Sequence, residues 1–213
     1  MQTTLGQDVA RIAASLGNDS IHVWQLAYRR TMQRDPLRAL LAVYLGVSPD
    51  ALAFVDDAHG RPELASPWNG LLQFNWSHSV DRALVAVARD VVPGIDLERI
   101  RPRPRAMALA ERFFHPSETA DLAALDEARR EHAFLKLWTG KEAVLKALGR
   151  GVAFGLHRLQ LDMTPPARLL WLDGDDPTQW QLHCIDVGSG YLASVAWRGP
   201  PHRVDIRTLA DDP

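Results

Sequence analysis

Five ionisable residues in two short stretches sit where solvent exposure alone does not account for them. Asp96 and Glu98 lie in Pro93-Gly94-Ile95-Asp96-Leu97-Glu98, and Lys141, Glu142 and Lys146 lie in the segment from Phe134 to Leu148. In an extended chain, residues two apart share a face, so Asp96 and Glu98 present their carboxylates together while Ile95 and Leu97 turn the other way. Adjacent anions repel without a cation, and hard carboxylate oxygens suit Mg²⁺, which fills its shell with water and phosphate oxygens. On a helix, Phe134, Leu137, Trp138, Val144, Leu145 and Leu148 form one apolar arc. Lys141 falls inside that arc, Glu142 at its edge beside Trp138, and Lys146 one turn on from Glu142. Each stretch alone has a plainer reading: a solvated acidic strand end, and an amphipathic helix with a snorkelling lysine and a weak surface ion pair. A third carboxylate from a helix with misplaced lysines strengthens the metal reading.

The elements that must position these groups are legible from periodicity and punctuation. Val9, Ile12, Ala13 and Leu16 give a weak helical pattern, and residues 21–27 alternate as a strand. Asp35-Pro36 reads as an N-cap and first-turn pair opening a helix that Gly46 stops. Residues 53–56 and 72–75 read as short strands around Gly60-Arg61-Pro62, and 83–89 as a longer one. A second half begins at Val92-Pro93-Gly94 with the acidic strand. Helices follow over 106–114 and 116–125, then a long helix over 126–148 closed by Gly149. Strands are expected at 158–162, 168–172, 180–187 and 191–197. Residues 83–88 and 192–197 are similar strands closing the two halves, which hints at internal duplication. Gly140, in mid-helix, costs about 1 kcal/mol relative to alanine, and a close backbone approach would explain it.

Composition narrows the class. A net charge of −2 and a pI near 6.4 do not fit a nucleic-acid binder. The single cysteine, Cys184, cannot form an internal disulfide, and its alternation with Trp180 and Leu182 places it as a space-filler on a strand. No run of eighteen apolar residues and no signal-like N-terminus is present, so a cytoplasmic protein with no membrane role is expected.

Gly94-Ile95-Asp96-Leu97-Glu98 followed by Trp138-Thr139-Gly140-Lys141-Glu142-Ala143-Val144-Leu145-Lys146 resembles the paired signature of the 4'-phosphopantetheinyl transferases. Phe74-Asn75-Trp76-Ser77-His78-Ser79 and Gly60-Arg61-Pro62 are similar to two further elements of that family, in its order and approximate spacing. The length points to the Sfp-type class. The resemblance implies an α+β fold: a pseudo-twofold pair of α/β lobes, each an antiparallel sheet with packed helices, with the active site in the cleft between them. Residues 1–92 would form the N-terminal lobe and 93–213 the C-terminal lobe of one monomeric unit.

The activity implied is transfer of the 4'-phosphopantetheine arm of coenzyme A to a serine of an acyl or peptidyl carrier protein, with release of 3',5'-ADP. Such carriers serve fatty acid, polyketide or nonribosomal peptide biosynthesis. Asp96, Glu98 and Glu142 would hold Mg²⁺, Lys146 would reach a phosphate, and Glu142 is the candidate base for the attacking serine. Lys141 would contact phosphate or brace the carboxylates. His78, with Ser77 and Asn75, would contact coenzyme A phosphates, and a core histidine is the alternative for His78. Arg61 would cover the adenosine or 3'-phosphate end. The segment ahead of the first helix is shorter than the family pattern, and Arg34 and Arg38 stand in for its basic residues. The partner is expected to be an acidic helical carrier domain, docking on Arg99, Arg101, Arg103 and Arg105 together with the helices that follow.

Two other classes share these residues: another Mg²⁺-dependent nucleotide phosphotransferase or hydrolase, and a non-catalytic coenzyme A binding module. No P-loop supports the first, and a module without catalysis has no need for three acids. A Ser-His hydrolase pair at Ser77-His78 is disfavoured because strand neighbours face opposite sides.

Overall fold

The computed structural model describes residues 4–151 and 154–209. Its elements form a layered α+β arrangement in which two sheets pack face to face, with helices on both outer surfaces. The first sheet has the order β11-β1-β5-β4, from β1 (Ser20–Ala27), β4 (Gln73–Ser79), β5 (Arg82–Ala88) and β11 (Arg203–Thr208). The second has the order β6-β10-β9, from β6 (Gly94–Arg99), β9 (Trp180–Ile185) and β10 (Tyr191–Arg198). Two short hairpins flank them: β2 (Phe54–Asp56) with β3 (Pro62–Leu64), and β7 (Leu159–Asp162) with β8 (Arg168–Leu172).

Strand alternation explains the layers. In β5, Ala83, Val85 and Val87 pack beneath α1 (Thr4–Ala14) and α2 (Asp35–Leu45), while Leu84, Ala86 and Ala88 face the second sheet. In β6, Ile95 and Leu97 join that inter-sheet core with Val195 and Trp197 of β10. The opposite face of the second sheet receives α3 (Ala106–Phe113), α4 (Pro116–Ala123) and α5 (Glu127–Leu148). Asp96 therefore points toward α5, away from Ile95 and Leu97, as the alternation requires.

Helix α5 is buried over a wider arc than its apolar stripe implies. Every residue from Thr139 to Leu145 is buried, because β6 and β10 cover one side while α3, α4 and β7 cover the other. Asp126 caps it by accepting from the Arg129 amide at 3.0 Å, and Gly149 ends it at φ 66°. A Cβ at Gly140 would come within 2.9 Å of Leu161 Cδ1 and 3.0 Å of Met163 Sδ, so side-chain ends pack on this glycine rather than the backbone approach expected.

Four sequence expectations are corrected. Asp35 is the first residue of α2 rather than its N-cap, which is Arg34 and makes no side-chain capping bond. Cys184 is exposed on β9, the edge strand of its sheet, and fills no core space. The chain does not end its structure at β10: β11 returns to pair in parallel with β1, with Val204 and Ile206 packing on the inter-sheet core. Residues 62–64, expected only to lie between the strands at 53–56 and 72–75, themselves form β3.

Candidate active site

The acidic strand and the long helix meet through a glycine. A Cβ on Gly94 would lie 2.0 Å from the Ala143 carbonyl oxygen and 2.4 Å from the Ala147 amide nitrogen. Only glycine lets β6 lie directly on the turn of α5 that carries Glu142 and Lys146. From Lys146, Nζ donates to Asp96 Oδ1 at 2.8 Å and to the Ile95 carbonyl at 2.9 Å. Ser77 Oγ donates to the same Asp96 Oδ1 at 2.9 Å.

Two buried carboxylate oxygens, Asp96 Oδ2 and Glu142 Oε1, have no hydrogen-bond partner. Buried polar atoms in native proteins are nearly always satisfied, and two open carboxyl oxygens, with Asp96 near enough to raise Glu142, suit a cation. Burial, reinforced by Asp96 and Glu98 and opposed by Lys146, pushes the Glu142 carboxyl up to about 7. Burial also raises Glu98, with Asp96 adding to the shift and Arg103 opposing it. Glu98 accepts from Arg103 Nη2 at 2.7 Å and from Ser79 Oγ at 3.4 Å. Among the described residues, no three His, Cys, Asp or Glu side chains are already gathered around one point. The three carboxylates are not gathered around one point: Asp96 and Glu142 hold open oxygens, while Glu98 is turned onto Arg103. As a donor set, two open carboxylate oxygens and a third carboxylate nearby fit a hard divalent ion.

The remaining site residues divide. Arg61 bridges β4 and α5, donating to the Lys146 carbonyl at 3.0 Å and to the Phe74 carbonyl at 2.8 Å. With His59, Asn75, Trp76, Glu142 and Lys146 it lines a cavity of about 290 Å³. His78 lies on the face of β4 opposite Ser77, stacked on Tyr28 with centroids 4.6 Å apart. Burial, with Lys146 and Arg30 adding to it, lowers its pKa. Arg34 joins it with Tyr28, Arg30 and Trp76 around a second cavity of about 550 Å³. Ser77 does not present a free hydroxyl to a ligand as expected, being held by β6, and of Asn75 the Oδ1 is taken by the Ile95 amide at 2.9 Å although the residue lines the cavity. Arg38 lines neither cavity. Its guanidinium lies 5.8 Å from the Phe54 ring centroid and 3.4 Å from Asp35.

Lys141 is also corrected. It is fully buried on the far side of α5, paired with Glu118 at 2.7 Å and donating to the Leu156 and Leu159 carbonyls at 2.9 and 2.5 Å. It reaches no cavity wall of the acidic cluster. Of the four docking arginines, Arg103 is engaged by Glu98 and Arg99 by Asp81 and Tyr191, whereas Arg101 and Arg105 are exposed. Ser79, Tyr28 and Arg30 were missed as site-forming residues, and Glu118 as the partner of Lys141. Only Ser79 carried a signal, its alternation with Asn75 and Ser77.

These features sit on a known family pattern. The model of the 4'-phosphopantetheinyl transferase superfamily matches residues 93–196, which span β6 through most of β10. The 4'-phosphopantetheinyl transferase HetI of Nostoc sp. is 39% identical over 198 residues, covering 88% of this chain and 81% of that protein. The 4'-phosphopantetheinyl transferase psf-1 of Bacillus pumilus is 32% identical over 184 residues, covering 85% and 76%. A protein of Synechocystis sp. is 36% identical over 172 residues, covering 76% of this chain and 68% of its own length. The chain belongs to the 4'-phosphopantetheinyl transferase superfamily. No described helix is long and apolar enough to cross a membrane.

Proposed function

We propose that this protein transfers the 4'-phosphopantetheine arm of coenzyme A to a serine of a carrier protein. The observation that carries the reading is the pair of buried, unpartnered oxygens on Asp96 and Glu142, both within the segment that the family model matches. Asp96 and Glu142 would hold a divalent ion, Mg²⁺ by the hardness of the donors, with Glu98 joining once it leaves Arg103. Such an ion supplies charge neutralisation at the diphosphate when bound.

The chain's own groups do the rest. Lys146 already gives two of its ammonium protons to Asp96 and the Ile95 carbonyl, and its third is free for a phosphate oxygen. Arg61, on the wall of the cavity shared with Glu142, and His78 with Arg30 and Arg34 around the larger cavity, would take the nucleotide phosphates. Glu142 would accept the proton of the attacking serine hydroxyl. A bound ion would lower the proton affinity of Glu142 from its metal-free value, so in this role the carboxylate would act beside the ion or through a water on it.

Residues 1–92 and 93–213 would act as two pseudo-symmetric lobes around this cleft, with β11 handed back to the first. Exposed Arg101 and Arg105, near α3 and α4, would steer an acidic carrier domain. The test is to incubate the protein with coenzyme A, Mg²⁺ and an apo carrier protein and weigh the carrier. A pantetheinyl mass gain that disappears with Asp96→Ala is expected. Hydrolysis of coenzyme A without carrier modification would sink the reading. Reversing Arg101 and Arg105 to glutamate should slow the transfer and flatten its salt dependence.

A further inference from the structure

The two sheets meet along β4 and β6, which belong to different sheets and share no backbone ladder. One edge of β6 is paired with β10. Along the other edge, the amides of Ile95, Leu97 and Arg99 need acceptors. They find them in side chains: Asn75 Oδ1 at 2.9 Å, Ser77 Oγ at 3.3 Å and Ser79 Oγ at 3.1 Å. Both strands contribute alternate residues, so three short polar side chains replace the carbonyls of a neighbouring strand. Two rungs also reach forward, Ser77 Oγ donating to Asp96 Oδ1 at 2.9 Å and Ser79 Oγ to Glu98 Oε2 at 3.4 Å.

A hydroxyl has one proton and two lone pairs. When a lone pair of Ser77 takes the Leu97 amide, its proton is turned to Asp96. With Lys146 on the same oxygen, Asp96 Oδ1 is saturated and the carboxylate cannot rotate without losing two bonds. Oδ2 is then the oxygen left open. We propose that Asn75, Ser77 and Ser79 are positioning residues: a side-chain ladder that locks β6 to β4, with Ser77 turning the Asp96 carboxylate so that its open oxygen faces the metal position. The ladder rests on the metal reading given under Proposed function, and it assigns Asn75 Oδ1 and Ser77 Oγ to the seam rather than to coenzyme A.

The test uses Mn²⁺ alone, followed by the electron paramagnetic resonance signal of the free ion, on the full chain without coenzyme A. Ser77→Ala should weaken Mn²⁺ binding about tenfold or more, the effect expected when a group orienting a metal ligand is lost. Ser77→Thr, which keeps the hydroxyl, should restore the affinity. Coenzyme A binding in EDTA should be the same in Ser77→Ala and the unaltered protein. Unaltered Mn²⁺ affinity in Ser77→Ala, or loss of coenzyme A binding in EDTA, would overturn the ladder. Should Ser77→Ala fail to fold, Ser79→Ala carries the same test at the neighbouring rung of the ladder, where weakened Mn²⁺ binding supports the proposal and unchanged binding overturns it. An unaltered protein that binds no Mn²⁺ would instead remove the metal reading itself, so the two failures are separable.

Discussion

Helix α5 carries a charged cluster on each side, and the two are opposites. On one side Lys141 is fully buried yet complete: Glu118 and two carbonyls surround its ammonium, while Glu118 also accepts from the Leu161 and His115 amides. Even so, burial, opposed by Glu118, brings the Lys141 pKa down to about 8. On the other side Asp96 and Glu142 are nearly as buried but each keeps an oxygen without a partner. A closed cluster fixes a helix, and an open one keeps unspent electrostatic energy for a ligand. Sequence alone could not say which lysine belonged to which, because Lys141 and Glu142 are neighbours in the chain.

The sharpest way to break this contrast is to remove the open side. Glu142→Gln should lower the transfer rate about 10²–10⁴-fold, the range for loss of a general base, while leaving the fold intact. A loss of transfer that merely tracked unfolding would refute the division. Removing the closed side should do the reverse. Glu118→Gln leaves a buried ammonium uncompensated and should destabilise by about 3–5 kcal/mol in urea unfolding. If it cost no more than a surface substitution, Lys141 would not be the anchor described. Gly94→Ala tests the junction of the two: overpacking against α5 backbone should cost about 1–3 kcal/mol or more and disturb the site as well.

A smaller effect distinguishes the two sides by pH. Glu142 in the metal-free fold holds its proton up to about 7, above its ordinary value, so the folded state binds a proton that the unfolded chain has already lost. Stability from this group therefore falls as pH rises from its ordinary range to about 7, and then levels. Divalent-ion affinity should change in the opposite sense, rising with pH up to about 7, because the ion displaces that proton. Glu142→Gln should flatten both profiles and raise the melting temperature of the metal-free protein most above pH 7.

Much of this molecule was legible in the chain. Period-two alternation gave β1, β5, β6 and β10, and the Asp126 and Gly149 signals bounded α5 within a residue. The acidic pair, the helical acid and the out-of-place lysines were visible because local periodicity fixes which side chains share a face. What escaped were contacts between elements far apart in sequence. Glu118 looked like an ordinary residue at a helix start, and nothing nearby reveals that it meets Lys141. Asn75 and Ser77 resembled ligand-binding groups because their partner edge on β6 depends on how two sheets meet. The β11 strand has a plain alternation of Val204 and Ile206, but charged residues between them masked it.

The central claim is that the open cluster binds one divalent ion per chain, and direct titration with Mn²⁺ tests it most plainly. The account predicts saturation at a single site in the unaltered protein and at least about tenfold weaker binding in both Asp96→Asn and Glu142→Gln. Equal stoichiometry and affinity in all three proteins would contradict it.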